Sequence, residues 1–313
     1  MILHHKQEFE ELIELTSQEF HIPSSAIRKD YFITFILKNL SESEFVDKVV
    51  FKGGTSLSKC YPNSIERFSE DIDLTYIPDV GMKDKQINRK LKAIEKILVN
   101  QGISEIINEE RNDRNKSCYL WFNNEHKEVE KIKLEIGSSV RPHPFSKKTL
   151  KSYIQEFLEN IGESGAIEEY ELSSIELNVL NIERTFIDKI LSVKRHAICD
   201  TLNGKVRHIY DVVKLYRMPE IAEFLLDEDN LKNIIRITKE TDSVYLEKRN
   251  IPEEYNPLER YSFESWRLKF DDEIKQNYET LHLTLLYTDE KQNWNEVFDV
   301  FNSISEILKN IDE

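Results

Sequence analysis

The stretch "EDIDLTYI", residues 70–77, constrains this chain more than any other. Ile72, Leu74 and Tyr76 alternate with Asp71, Asp73 and Thr75, the period of a strand whose successive side chains point to opposite faces. Both aspartates therefore share one face, about 6–7 Å apart. At an effective dielectric near 20 their repulsion is roughly 2–3 kcal/mol. Such a strand is either an exposed edge with solvated acids or one wall of a cation site. Two carboxylates at this spacing suit Mg²⁺ or Mn²⁺, hard ions that take oxygen ligands.

"KIKLEIG", residues 131–137, alternates in the same way. Ile132, Leu134 and Ile136 fall on one face, and Lys131, Lys133 and Glu135 on the other. If this strand pairs beside the first, Glu135 supplies a third carboxylate. The other fate of such a residue is an exposed acid neutralised by a cross-strand lysine.

Upstream, "VVFKGGTSLSK" reads as a strand closing on Gly53 and Gly54, with Thr55 and Ser56 opening a short helix stopped by Pro62. Glycine lets the backbone turn sharply and lets a ligand approach its N–H groups. A helix N-terminus favours phosphate. The spacing is neither that of a P-loop nor that of a dinucleotide fingerprint. Alone, the pair is a turn; lying 17 residues ahead of the first aspartate, it becomes informative.

Taken together, "FKGGTSLSKCY" and "RFSEDIDLTY" resemble the AbiEii/AbiGii toxin family, the nucleotidyltransferase-like toxins of type IV toxin–antitoxin and abortive-infection systems, within the polymerase-β-type superfamily. The likeness extends through "ERTFIDKILSVKRHA" and "RHIYDVVKLY", covering residues 30 to 220 or so. It implies an α+β fold: a polymerase-β-type nucleotidyltransferase core with a mixed β-sheet, followed by a mainly α-helical domain. It implies an enzyme that moves a nucleotidyl group from an NTP to an acceptor and releases pyrophosphate. Gly53, Gly54, Thr55 and Ser56 would cradle the triphosphate. Asp71 and Asp73 would bind Mg²⁺ or Mn²⁺, with Glu135 as the third acid. Lys189, in "TFIDKIL", would lie near the phosphates. Asp211, in "RHIYDVVKL", would be a later catalytic acid, with Arg207 one turn before it. The implied partners are an NTP, an RNA acceptor (the 3′ end of tRNA in particular) and a cognate antitoxin.

The residues themselves bear on the last three assignments. Lys189 lies beside the apolar stripe of its helix, so its ammonium either reaches inward or snorkels to solvent. Arg207 and Asp211 stand at i,i+4 with the cation first, the weaker order for helix support. As a structural pair they would contribute only a few tenths of a kcal/mol. Two other readings stay open: a nucleotide-binding regulatory module with little turnover, against which the intact carboxylates weigh, and an antibiotic-type nucleotidyltransferase acting on a small molecule.

The bulk properties set limits. The net charge of −15 means that any contact with RNA comes from a local basic patch or a basic partner. No apolar run is long enough to cross a membrane. Three cysteines, an odd number and widely spaced, fit a reducing cytoplasm rather than a disulfide framework. The spacing of His4, His5, His196, Cys199 and His208 matches no usual zinc pattern. Trp121, Trp266 and Trp294 read as core residues.

Periodicity predicts helices over 6–20 and 24–40, the second capped by Ser24 or Ser25. Strands and helices then alternate as far as Pro142 and Pro144. Beyond residue 145 the pattern is mainly helical except for "SIELNVLNI". Two domains follow, a nucleotidyltransferase domain with N-terminal helices at 1–145 and a mainly helical domain at 146–313.

Overall fold

The computed structural model describes residues 2–246, 254–287 and 289–311. The chain divides into two compact units, the first formed by Met1–Cys60, Phe68–Ser138 and Phe145–Val179, the second by Tyr61–Arg67, Ser139–Pro144 and Leu180–Glu313.

The first unit holds α1 (Glu8–Phe20), α2 (Ser24–Ser41), β1 (Val49–Lys52), α3 (Gly53–Cys60) and β2 (Asp71–Tyr76). These are followed by α4 (Asp84–Leu98), β3 (Ile103–Ile106), β4 (Asn115–Trp121), α5 (Lys127–Glu130) and β5 (Ile132–Gly137). After them come β6 (Phe145–Leu150), α6 (Tyr153–Asn160), α7 (Ser164–Glu169) and β7 (Ile175–Leu180). The seven strands form one mixed sheet in the order β3-β4-β5-β2-β1-β7-β6. β1 is antiparallel to β2 and parallel to β7, and β2 is parallel to β5.

Burial follows the alternation. Ile72, Ile132, Leu134 and Ile136 are fully buried, while Asp71, Asp73, Lys133 and Glu135 on the other face are partly exposed. α4 contributes Ile87, Leu91, Ile94 and Leu98, spaced four, three and four apart and all buried. Burying each such side chain contributes about 1.5–3 kcal/mol. Two expectations are corrected. No serine caps α2: Pro23 precedes it, with no side-chain cap bond. Phe145–Leu150 is a strand, although the pattern there read as the approach to a helical half. Its sequence, FSKKTL, is that of a polar sheet edge, where lysines discourage further pairing and leave little apolar alternation to read.

The second unit contains α8 (Ile182–Ile198), α9 (Val206–Tyr216), α10 (Pro219–Leu226), α11 (Glu228–Leu246), α12 (Asp272–Glu279) and α13 (Trp294–Ile311). α8 and α9 contain the stretches "ERTFIDKILSVKRHA" and "RHIYDVVKLY" in full. Trp266, Trp294, Phe263, Phe270 and Phe301 form an aromatic cluster with ring centroids 4.8–6.1 Å apart in the contacting pairs. All three tryptophans are buried. The segment Tyr61–Arg67 is stitched into this unit: Tyr61 donates from its hydroxyl to the Leu180 carbonyl at 3.0 Å, Lys214 pairs with Glu66, and Tyr287 donates its N–H to the Glu66 carbonyl at 3.1 Å. Among the described residues no helix is long and apolar enough to cross a membrane.

Candidate active site

The sheet register assembles the acidic face. Asp73 on β2 stands opposite Glu135 on β5 and opposite Lys52 on β1, so the three side chains share one face. Asp71 stands opposite Lys133. Asp71, Asp73 and Glu135 are thus brought to one side of two adjacent strands.

Glycine sets the fit at the start of α3. Gly53 has φ +87°, a left-handed backbone that L side chains rarely adopt. A Cβ at this position would come within 2.3 Å of Asp73 Oδ2. The Asp73 carboxylate therefore lies directly over the glycine turn. Gly54 is the second residue of the same helix.

The two hydroxyls are used inside the fold. Thr55 Oγ1 hydrogen-bonds the Asp71 carbonyl and lies 2.9 Å from Ser69 Oγ, tying α3 to the start of β2. Ser56 Oγ donates to the Gly53 carbonyl at 2.9 Å. Both residues are buried. A helix N-terminus leaves its first backbone N–H groups without intrahelical partners.

Glu135 is engaged by a lysine of its own strand. Lys133 Nζ lies 2.6 Å from Glu135 Oε1 and 2.9 Å from Glu110 Oε2, which also accepts from Ser117 Oγ at 2.8 Å. Burial works against the charge of Lys133, but its bonds to Glu110 and Glu135 outweigh that and raise its pKa above the ordinary lysine range. Among the described residues no three histidine, cysteine, aspartate or glutamate side chains are drawn together around a metal position. The fit to a hard divalent ion thus rests on Asp71 and Asp73, two oxygen donors on one face. Mg²⁺ commonly binds through one or two carboxylates and retains water.

A second cluster lies within the second unit. Arg67 donates from Nε to Asp211 Oδ1 at 2.6 Å and from Nη2 to Oδ2 at 2.7 Å. Lys189 Nζ donates to Asp211 Oδ2 at 2.6 Å. Asp211 is fully buried, Arg67 is 2% exposed and Lys189 6%. Lys189 therefore reaches inward. Burial alone would raise the Asp211 pKa, but the guanidinium and the ammonium outweigh it and hold the carboxyl well below the usual range. Burial lowers the Lys189 pKa; Asp211 partly offsets this, and Arg67 and Arg207 add repulsion. Two cations share one carboxylate, leaving a net positive charge. Arg207, one turn before Asp211, is not among its partners. Next to it, His208 lies 3.1 Å from Ser192 Oγ and is held neutral chiefly by burial.

Sequence reading passed over Arg67. It stands four residues before Asp71 in "RFSEDIDL", and an arginine leading into an acidic strand is the only local signal it gives.

A family model for the nucleotidyl transferase AbiEii toxin of type IV toxin–antitoxin systems matches residues 36–300. Among solved structures, the chain is similar to MenT4, a nucleotidyltransferase toxin from Mycobacterium tuberculosis H37Rv, at 15% identity and a TM-score of 0.49, over 93% of this chain and 98% of that one. It is also similar to JHP933 from Helicobacter pylori, at 18% identity and a TM-score of 0.38, over 82% of this chain and 94% of that one. No curated protein matches the sequence.

Proposed function

The chain belongs to the AbiEii nucleotidyltransferase toxin family, and from that premise we propose that it is a metal-dependent enzyme of the cytoplasm whose acceptor is RNA, the 3′ end of tRNA in particular. The observation that carries the reading is the Asp73 carboxylate seated on Gly53, which joins an acidic strand to a helix N-terminus in one compact arrangement.

In this reading Asp71 and Asp73 would hold Mg²⁺ or Mn²⁺, with Glu135 as the third acid. The ion's contribution is to neutralise charge on the phosphates and to activate the attacking hydroxyl. Gly53 and Gly54, with the N–H groups at the start of α3, cradle the triphosphate, while Thr55 and Ser56 hold that turn in shape from beneath. Lys189 neutralises charge developing on the departing pyrophosphate. Its ammonium has three protons, of which Asp211 takes one. Asp211 orients Lys189, and Arg207 adds positive charge nearby. A cognate antitoxin restrains the activity.

The test is incubation of purified protein with each α-labelled NTP, Mg²⁺ and total cellular RNA. The expected result is label in the tRNA fraction from one preferred NTP, abolished by chelation. Failure to label any acceptor, with soluble folded protein, would overturn the reading.

A further inference from the structure

Two lysines bracket the glycine turn, and the structure treats them differently. Lys59, at the end of α3, is partly buried, its side chain packed inward with the ammonium on Asp30, which also accepts the Tyr153 N–H at 2.8 Å. The same ammonium lies 5.6 Å from the centre of the Tyr153 ring. Lys59 is an anchor for the helix.

Lys52, the last residue of β1, is partly buried. Among the described residues its side chain has neither a hydrogen-bond nor an ion-pair partner. The register sets it opposite Asp73 on the acidic face, where a carboxylate is close at hand. Lys133, also on that face, is held by both Glu110 and Glu135. Asp73 instead leans over Gly53, the residue that follows Lys52.

We propose that Lys52 is a binding residue for the phosphate chain of the nucleotide, an inference that rests on the nucleotidyl-transfer reading above. A partly buried lysine beside acids, yet paired with none of them, is an incomplete electrostatic arrangement. An anion that brings its own divalent cation completes it. The cation takes the aspartates, and Lys52 takes phosphate oxygens at the mouth of α3, where unpaired N–H groups add to the attraction. Lysine suits the task because its compact charge on a flexible stem can follow whichever oxygen is presented. A bound metal repels the ammonium, which favours the phosphate oxygens over the carboxylates as its partner.

The probe is inorganic tripolyphosphate, which carries the phosphate chain without base or sugar. Its binding is measured by calorimetry in Mg²⁺ for the wild-type chain, Lys52→Met, Lys52→Gln and Lys52→Arg. Lys85→Met, an exposed position on α4, serves as the control. The expected result is at least a tenfold loss of affinity in Lys52→Met and Lys52→Gln, substantial recovery in Lys52→Arg, no change in Lys85→Met, and an unaltered melting temperature throughout. The glutamine variant keeps the test open if methionine disturbs the strand. Wild-type affinity in both neutral variants would overturn the assignment of Lys52 and leave the transfer reading standing. A wild-type chain that binds neither tripolyphosphate nor any NTP would overturn both.

Discussion

Arg67 grips both oxygens of Asp211, at 2.6 and 2.7 Å, from a point 144 residues earlier in the chain. Lys189 shares the second oxygen. The trio carries two positive charges against one negative, which ranks its variants. Asp211→Ala strands two buried cations and is expected to cost about 3–5 kcal/mol of stability. Arg67→Met leaves a balanced pair but one unsatisfied carboxylate oxygen, about 1–3 kcal/mol. Lys189→Met leaves the bidentate pair complete and should cost least. Urea unfolding of the three variants checks the order; equal losses would show that charge balance does not govern the cluster.

Gly53 and Gly81 separate backbone strain from site geometry. Both have positive φ, +87° and +82°, but a Cβ at Gly81 meets nothing within 4 Å. Alanine at either position costs about 1–2 kcal/mol for the left-handed backbone. Gly53→Ala must also displace the Asp73 carboxylate. Misplacement of a reacting group by 1 Å can cost on the order of 100-fold in rate. Transfer is expected to fall by at least that factor in Gly53→Ala and to remain near wild type in Gly81→Ala.

The legibility of this molecule follows sequence separation. β2 and β5 were readable because alternation is local, and α8 and α9 because the helical stripe is local. β6 was not, since an edge strand of lysines and hydroxyls carries little apolar signal. Asp71, Asp73 and Glu135 could be assigned to faces, and the register then set Glu135 beside Asp73. That Lys133 would bond Glu135 along the same strand depended on rotamers. The i,i+4 spacing drew attention to Arg207 as a neighbour of Asp211. The partners turned out to be Lys189, on the preceding helix, and Arg67, from the approach to β2; distant pairings of that kind leave no periodic trace.

Asp71→Asn with Asp73→Asn tests the carboxylate pair. The double variant should lose transfer below detection while keeping its fold. Without metal its melting temperature should hold or rise, because repulsion across the strand face is relieved. Wild-type turnover in this variant would remove the two aspartates from the chemistry.

His4 gives the first unit an acid-sensitive contact. Its ring lies 5.1–5.7 Å from those of Tyr31, Phe32, Phe35 and Phe122, and Nδ1 is 3.0 Å from the Tyr31 hydroxyl. Burial first, and the charge of His5 second, push the imidazole from 6.5 down to about 4. The unfolded chain therefore takes the proton before the native state does. The stability this provides is full above pH 6.5 and is lost as pH falls toward 4. His196, also held at about 4 chiefly by burial, adds to the same decline. Urea unfolding at intervals from pH 7 to 4 should show stability falling, with a shallower slope in His4→Phe. An unchanged slope would mean that His4 is protonated alike in both states.

The coupling of Lys189 to Asp211 separates a working cation from a structural one. If Lys189 faces the phosphate chain, Lys189→Met should lose transfer by about 100-fold or more at nearly unchanged stability. Asp211→Ala should lose it too, because the ammonium is no longer held in place. The double variant should then be hardly less active than the worse of the two singles, since both remove one function. Stability gives an independent sign. Asp211→Ala leaves Arg67 and Lys189 facing each other without a carboxylate; adding Lys189→Met removes one of the two charges. The double variant should therefore be more stable than Asp211→Ala alone, an effect opposite to the sum of two independent losses. Additive losses in both activity and stability would mean that the 2.6 Å contact between Lys189 and Asp211 carries no coupling. Wild-type activity in Lys189→Met would confine the chemistry to the acidic face of the sheet.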